Sequence, residues 1–159
     1  MFKPQFENPD EGVILVHNFL LTINSNRSYV EADVLQAKNN FVDELTTMFG
    51  QFENFIDIFV STKHGGNKYD RVPLRNVTFE DIASNVSVQP RVEVGKKLGK
   101  LHCHTLISWS SSDRYFFQIN QNRLRQYIKN NMGSYHVDIK WIKGAAEINN
   151  VLRYINKDN

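Results

Sequence analysis

A chain of 159 residues that is 41% hydrophobic has room for one core and is too short for two comfortable ones, so a single domain over residues 1–159 is expected. Its one cysteine, Cys103, excludes an intrachain disulfide and a cysteine-rich zinc site and points to a reducing, intracellular setting. The acidic start MFKPQFENPDEG is unlike a signal peptide, and the longest apolar stretch, VILVHNFLLTI, is too short to span a bilayer, so a soluble protein with no membrane partner is expected. The net charge of +2 divides unevenly: residues 1–90 carry 7 Lys/Arg against 12 Asp/Glu and residues 91–143 carry 10 against 3, which makes the second half the candidate polyanion-binding half.

In chain order, residues 13–24 (VILVHNFLLTIN) read as a central strand. A long amphipathic helix follows. Ser28 and Glu31 are spaced as a capping box, Val30, Val34, Ala37, Phe41, Leu45 and Met48 recur at helical spacing, and Gly50 is the stop. Residues 52–62 are predicted as a second strand ending at the HGGN turn signal, and residues 63–84 as a polar insertion with a short helical turn after Thr78. Val86–Val94 and Leu101–Trp109 read as a hairpin across GKKLGK, with Pro90 demanding a bulge or an edge position. SWSSSDR is expected to be a loop. Residues 121–132 read as a helix between the cap Asn120 and Gly133, SYHVDIKWI as a final strand, and AAEINNVLRYINKD as a last helix. The order is α+β: a central antiparallel sheet of about five strands with flanking helices, ferredoxin-like or RRM-like.

The chemistry concentrates in GKLHCHTLISW. Side chains alternate along a strand, so His102 and His104 share one face and Cys103 turns to the other as a small core residue. The hairpin offers a third ligand: one register sets Glu93 opposite His104, another opposite His102, and both place the carboxylate on the histidine face. Two imidazoles and a carboxylate with open positions suit a divalent ion that polarises a phosphate, Mn²⁺ or Mg²⁺. In the last helix Ile148, Val151, Leu152 and Ile155 form the apolar stripe, Tyr154 falls on its margin, and Lys157 is within i,i+3 reach of the Tyr154 ring. A tyrosine beside a cation is a candidate oxygen nucleophile, provided its pKa falls or its phenolate is stabilised.

His102-Cys103-His104 resembles the His-hydrophobic-His metal motif of the HUH endonucleases, and Tyr154-Ile155-Asn156-Lys157 resembles their Tyr-x-x-Lys nucleophile motif. Phe19–Asn24, FLLTIN, is similar to the first-strand motif of replication initiators from small circular single-stranded DNA viruses. The resemblance implies that His102, His104 and Glu93 hold the metal against a scissile phosphate and that Tyr154 attacks, leaving a 5′-phosphotyrosine and a free 3′-hydroxyl, with Lys157 as auxiliary. It further implies nicking at an origin stem-loop to start rolling-circle replication, a helicase region or self-assembly in a longer replication protein, and work in a host nucleus. A single tyrosine departs from two-tyrosine initiators and most plasmid relaxases, and Lys157 favours an initiator over a single-tyrosine transposase, the alternative within the family. The insertion at 63–84 departs from the compact viral members.

Single-stranded DNA contacts are expected from Asn24, from Lys96, Lys97 and Lys100 at the hairpin tip, and from Arg123, Arg125 and Lys129. Trp109, Tyr115, Phe116 and Trp141 are candidates for base stacking. GKKLGK lacks the spacing of a phosphate-binding loop, and Leu106 stands where a histidine-triad hydrolase needs a third histidine. The rival of another class is a non-catalytic RRM-like nucleic-acid binder, which accounts for the basic half and gives no reason for the paired histidines and YINK.

Overall fold

The structure, a computed structural model, describes residues 13–63, 69–95, 99–133 and 135–157. Strand β1 (Ile14–Ser28) is its spine: Phe19, Leu21 and Ile23, two apart, are buried on one face. The strands β4 (Ser84–Val94), β5 (Lys100–Ser112) and β7 (Tyr135–Trp141) join it in a four-stranded antiparallel sheet of order β4-β5-β1-β7. A second, three-stranded antiparallel sheet has the order β3 (Tyr69–Pro73), β2 (Ile56–Lys63), β6 (Tyr115–Ile119). The fold is α+β with helices flanking the antiparallel sheet, as the pattern predicts; the expected sheet of about five strands is instead four strands plus a separate three.

The helices divide the four-stranded sheet by chemistry. Helix α1 (Glu31–Phe49) contributes Phe41, Leu45 and Met48, and α3 (Gln121–Asn131) contributes Leu124 and Ile128, to the core on the Phe19–Ile23 face. Ile56, Phe117 and Ile119 bring the second sheet into that core. On the opposite face Leu20 and Leu106 meet Ile142 and the stripe of α4 (Ala145–Ile155) in a smaller cluster with Ile148, Val151, Leu152 and Ile155. That cluster lies at one end of the face and sets the last turn of α4 beside the polar rows of the other end.

Several boundaries differ from the sequence pattern. Ser28 is the last residue of β1 and pairs with Lys100, so α1 starts at Glu31 behind Val30 with no side-chain capping bond; the Ser28–Glu31 box is not formed. Residues 52–55 are a 3-10 turn, and the strand begins at Ile56. The insertion holds β3 and the short helix α2 (Phe79–Ile82), whose capping box is Thr78 with Asp81. Ser110 and Ser111 are buried and prolong β5 opposite Val16 and Leu15, so the turn expected over SWSSSDR shrinks to Asp113–Arg114. YFFQI, given no element from sequence, is β6. Pro90 sits on the edge strand β4, where its missing N–H costs no ladder bond to a further strand. Asn120 caps α3 by accepting the Arg123 N–H at 3.0 Å, and Gly133 closes it at φ +95°.

Candidate metal and nucleophile site

Strand register assembles the site. Of the two registers open from sequence, the one that faces Glu93 with His102 is formed, and it sets Arg91 opposite His104. Across β5 the same rows continue through Asn24 and Thr22 of β1 to His136 and Asp138 of β7. Paired residues in an antiparallel ladder point to the same face. The sheet therefore carries two polar rows, Glu93-His102-Asn24-His136 and Arg91-His104-Thr22-Asp138. Cys103 points the other way, 1% exposed, its thiol pushed up to about 11 by burial and its Sγ 3.1 Å from Thr105 Oγ1. It is a packing residue.

One donor atom from each of Glu93, His102 and His104 lies within 4.8 Å of the others, close enough to share one ion. His102 Nε2 is 3.4 Å from Glu93 Oε1, and the two imidazole centroids are 5.5 Å apart. Thr22 Oγ1 lies 3.1 Å from His104 Nδ1. Burial, with the nearby charge of His102, holds His104 below the ordinary imidazole value. The Tyr154 hydroxyl, with Arg91 and His102, holds the Glu93 carboxyl below the usual carboxylate range. Both shifts favour the form that binds metal, a neutral ring and a carboxylate. The three form a half-buried, mixed nitrogen and oxygen set that could hold a metal ion.

Tyr154 comes from the last turn of α4. Its hydroxyl donates to Glu93 Oε1, and its ring stands edge-on to His104 at 5.2 Å between centroids and 87° between planes. Its pKa is pushed up, by burial first and then by the Glu93 carboxylate that accepts its proton's bond, so the lowered value looked for beside a cation is not what these surroundings produce. The cation set against the ring is Arg91, with Cζ 5.4 Å from the centroid. Lys157 lies beyond the end of α4 at Ile155, in a turn where its N–H donates to Tyr154 O at 3.2 Å and its carbonyl accepts from Arg91 Nη1 at 2.6 Å. The sequence pattern does not single out Arg91, although it stands two residues before Glu93 and period 2 alone puts it on the ligand face.

The expected DNA contacts separate. Asn24 is in the His102 row, and Lys100, exposed, is on the same face of β5 by alternation. Lys96 and Lys97 lie outside the described residues. Arg123, Arg125 and Lys129 ride on α3, which packs on the opposite face, so the structure does not bring them to the site; Arg123 pairs with Asp57 at 2.7 Å and Arg125 reaches Gln121 at 3.3 Å. Trp109 is 0% exposed, ringed by Phe19, Phe52, Phe79 and Phe117, and so is corrected from a base-stacking residue to a core residue. Trp141, 37% exposed, has ring surface open to solvent. Among the described residues no helix is long and apolar enough to cross a membrane. No family model, curated protein or solved structure matches the chain.

Proposed function

We propose that the chain is a metal-dependent single-stranded DNA endonuclease and strand transferase of the HUH kind, acting through a tyrosyl–DNA intermediate. The observation that carries this reading is the contact of the Tyr154 hydroxyl with Glu93, beside His102 and His104. A phenol with no metal-ligating neighbours is usually packing; one that touches a candidate ligand set is placed for attack on whatever that set holds. Glu93, His102 and His104 are the residues to hold a divalent ion, which when bound draws charge from a phosphate oxygen.

The chain's own groups supply the rest. Tyr154 Oη attacks phosphorus, its proton leaving toward the Glu93 carboxylate that already accepts its bond and then to solvent. The bond from phosphorus to the 3′-oxygen breaks, that oxygen takes up a proton, and the 5′ side stays on Tyr154 as a phosphodiester. The reverse step, attack by a 3′-hydroxyl, joins a strand and frees the phenol. The polar rows through the half-buried Asn24 and Thr22 and the exposed His136 and Asp138, with Lys100 beside them, offer an unpaired strand hydrogen-bonding edges and a phosphate contact. Origin stem-loop nicking, rolling-circle replication, a helicase or self-assembled partner and a nuclear site of action extend the proposal on the sequence resemblance alone.

A pool of single-stranded oligonucleotides with a randomised centre, incubated with the protein and Mn²⁺, is expected to yield an adduct that survives denaturing electrophoresis. Mass spectrometry should find the phosphate on Tyr154, and both EDTA and Tyr154→Phe should abolish the adduct. Retention of DNA without any adduct would make the domain a binding module, and an adduct persisting in Tyr154→Phe would remove the assigned nucleophile.

A further inference from the structure

Tyr154 belongs to the final turn of α4, beside Ile155, which packs with Leu20, Leu106 and Ile142 and docks that turn on the sheet. That packing holds the helix but leaves Tyr154 itself 38% exposed, so its side chain needs holding by other groups. Its ring stands against His104 and its hydroxyl is bonded to Glu93, and one guanidinium meets the turn, that carboxylate and the ring together. Arg91 Nη1 donates to the Lys157 carbonyl at 2.6 Å, its Nε is 3.5 Å from Glu93 Oε1, and its Cζ lies over the Tyr154 ring, 5.4 Å from the centroid. Its side chain is 17% exposed, and strand pairing opposite His104 anchors its backbone. The bond to Lys157 is to the main chain of the turn that follows α4, so it does not depend on which side chain residue 157 carries.

We propose that Arg91 is the positioning residue for Tyr154: it ties the turn after α4 to strand β4 and thereby sets the phenol oxygen over the ligand set of Glu93, His102 and His104. The inference rests on the nickase reading and adds to it a residue outside the motifs. Arginine suits the task because its planar fork makes bonds in several fixed directions, which a lysine ammonium does not.

The test uses the full chain with Arg91→Ala and Arg91→Lys. The first readout needs no DNA: hydrogen exchange at the amides of Asn156 and Lys157, which donate to the Leu152 and Tyr154 carbonyls. Arg91→Ala should exchange there about tenfold faster, with the β1 and β5 amides unchanged, as loss of a charge-assisted bond predicts. The second readout is the single-turnover rate of adduct formation on an oligonucleotide recovered from the pool, at saturating DNA and Mn²⁺. It should fall about 100-fold in Arg91→Ala while DNA affinity holds within about twofold, since misplacing a reacting group by an ångström costs rate and not binding. Added guanidinium ion should restore part of the rate. Arg91→Lys, which keeps the charge and the fold, should fall between the two. Unchanged exchange at Asn156 and Lys157 in both variants overturns the proposal, as does a rate loss that only tracks lost DNA affinity. Faster exchange in a protein whose wild type forms no adduct would keep the tie and remove the nickase reading.

Discussion

Thr22 faces His104 across the β1–β5 ladder, with its Oγ1 3.1 Å from Nδ1. If Nδ1–H donates to that hydroxyl, Nε2 keeps the lone pair a metal needs and the ring cannot swing off the row. Thr22→Val retains the shape and removes the acceptor. Its Mn²⁺ affinity by calorimetry should drop roughly 10-fold to 100-fold, the usual consequence of losing an outer hydrogen bond to a ligating imidazole; equal affinity in the two proteins would show that packing alone orients His104. At this scale much was legible. The shared face of His102, His104 and Glu93 follows from alternation, Tyr154 is set on a stripe margin by helical spacing and picked out by the resemblance of YINK, and the structure brings the four together. Arg91 was passed over because a lone arginine on a strand reads as a solvated charge until pairing shows what it faces. Trp109 errs the other way: an aromatic in a basic half suggests a stacking platform, and only three-dimensional packing reveals the rings around it.

Among the elements, the β4–β5 hairpin matters most, since slipping its register by one residue would carry Glu93 to the core face. Gly99 guards that register. It holds φ +59°, its carbonyl accepts the Tyr29 N–H at 3.2 Å, and a Cβ there would come within 2.2 Å of the Tyr29 carbonyl oxygen. Gly99→Ala combines a left-handed backbone penalty with a clash against main chain, together at least about 1–3 kcal/mol. Urea unfolding should show a lowered midpoint with an unchanged slope, and calorimetry a weaker Mn²⁺ affinity; a wild-type midpoint would mean that the turn does not hold the register. Helix and strand identities were legible wherever periodicity ran long, as in β1, α1 and α4. The misses are local signals overruled by pairing. Ser28 looks like a cap yet is drawn into the ladder by Lys100, and the serines after Trp109 look like a turn yet continue β5 because β1 extends far enough to pair with them. YFFQI is too short to announce itself as a strand, and it is one because β2 supplies a partner.

As a whole the molecule separates its chemistry from its stability by placing them on opposite faces of one sheet. The face under α1 and α3 is dry and continuous with the second sheet; the other carries the polar rows and the small docking cluster of α4. An imidazole interrupts the dry side. His17 lies half-buried between Trp109 and Phe117, with ring centroids 5.5 and 4.8 Å away, and its Nε2 is 2.8 Å from Ser111 Oγ. Burial holds it below the ordinary imidazole value, so the folded state keeps the ring neutral where the unfolded chain would protonate it. Above the unfolded pKa, about 6.5, both states carry a neutral ring and His17 costs nothing. As pH falls through that value the unfolded state binds a proton the fold refuses, and stability is lost until pH passes the folded pKa. The loss from this one group is limited to about 1.4 kcal/mol per pH unit. Urea midpoints measured between about pH 7.5 and 5 should therefore decline in the wild type and decline less steeply in His17→Gln, which keeps a polar partner for Ser111 and cannot titrate. His104, shifted in the same direction, contributes equally to both proteins, so the difference between the two slopes isolates His17. Parallel slopes would mean that the fold accommodates a charged His17, and that the core beneath the site is open to water where its burial says it is closed.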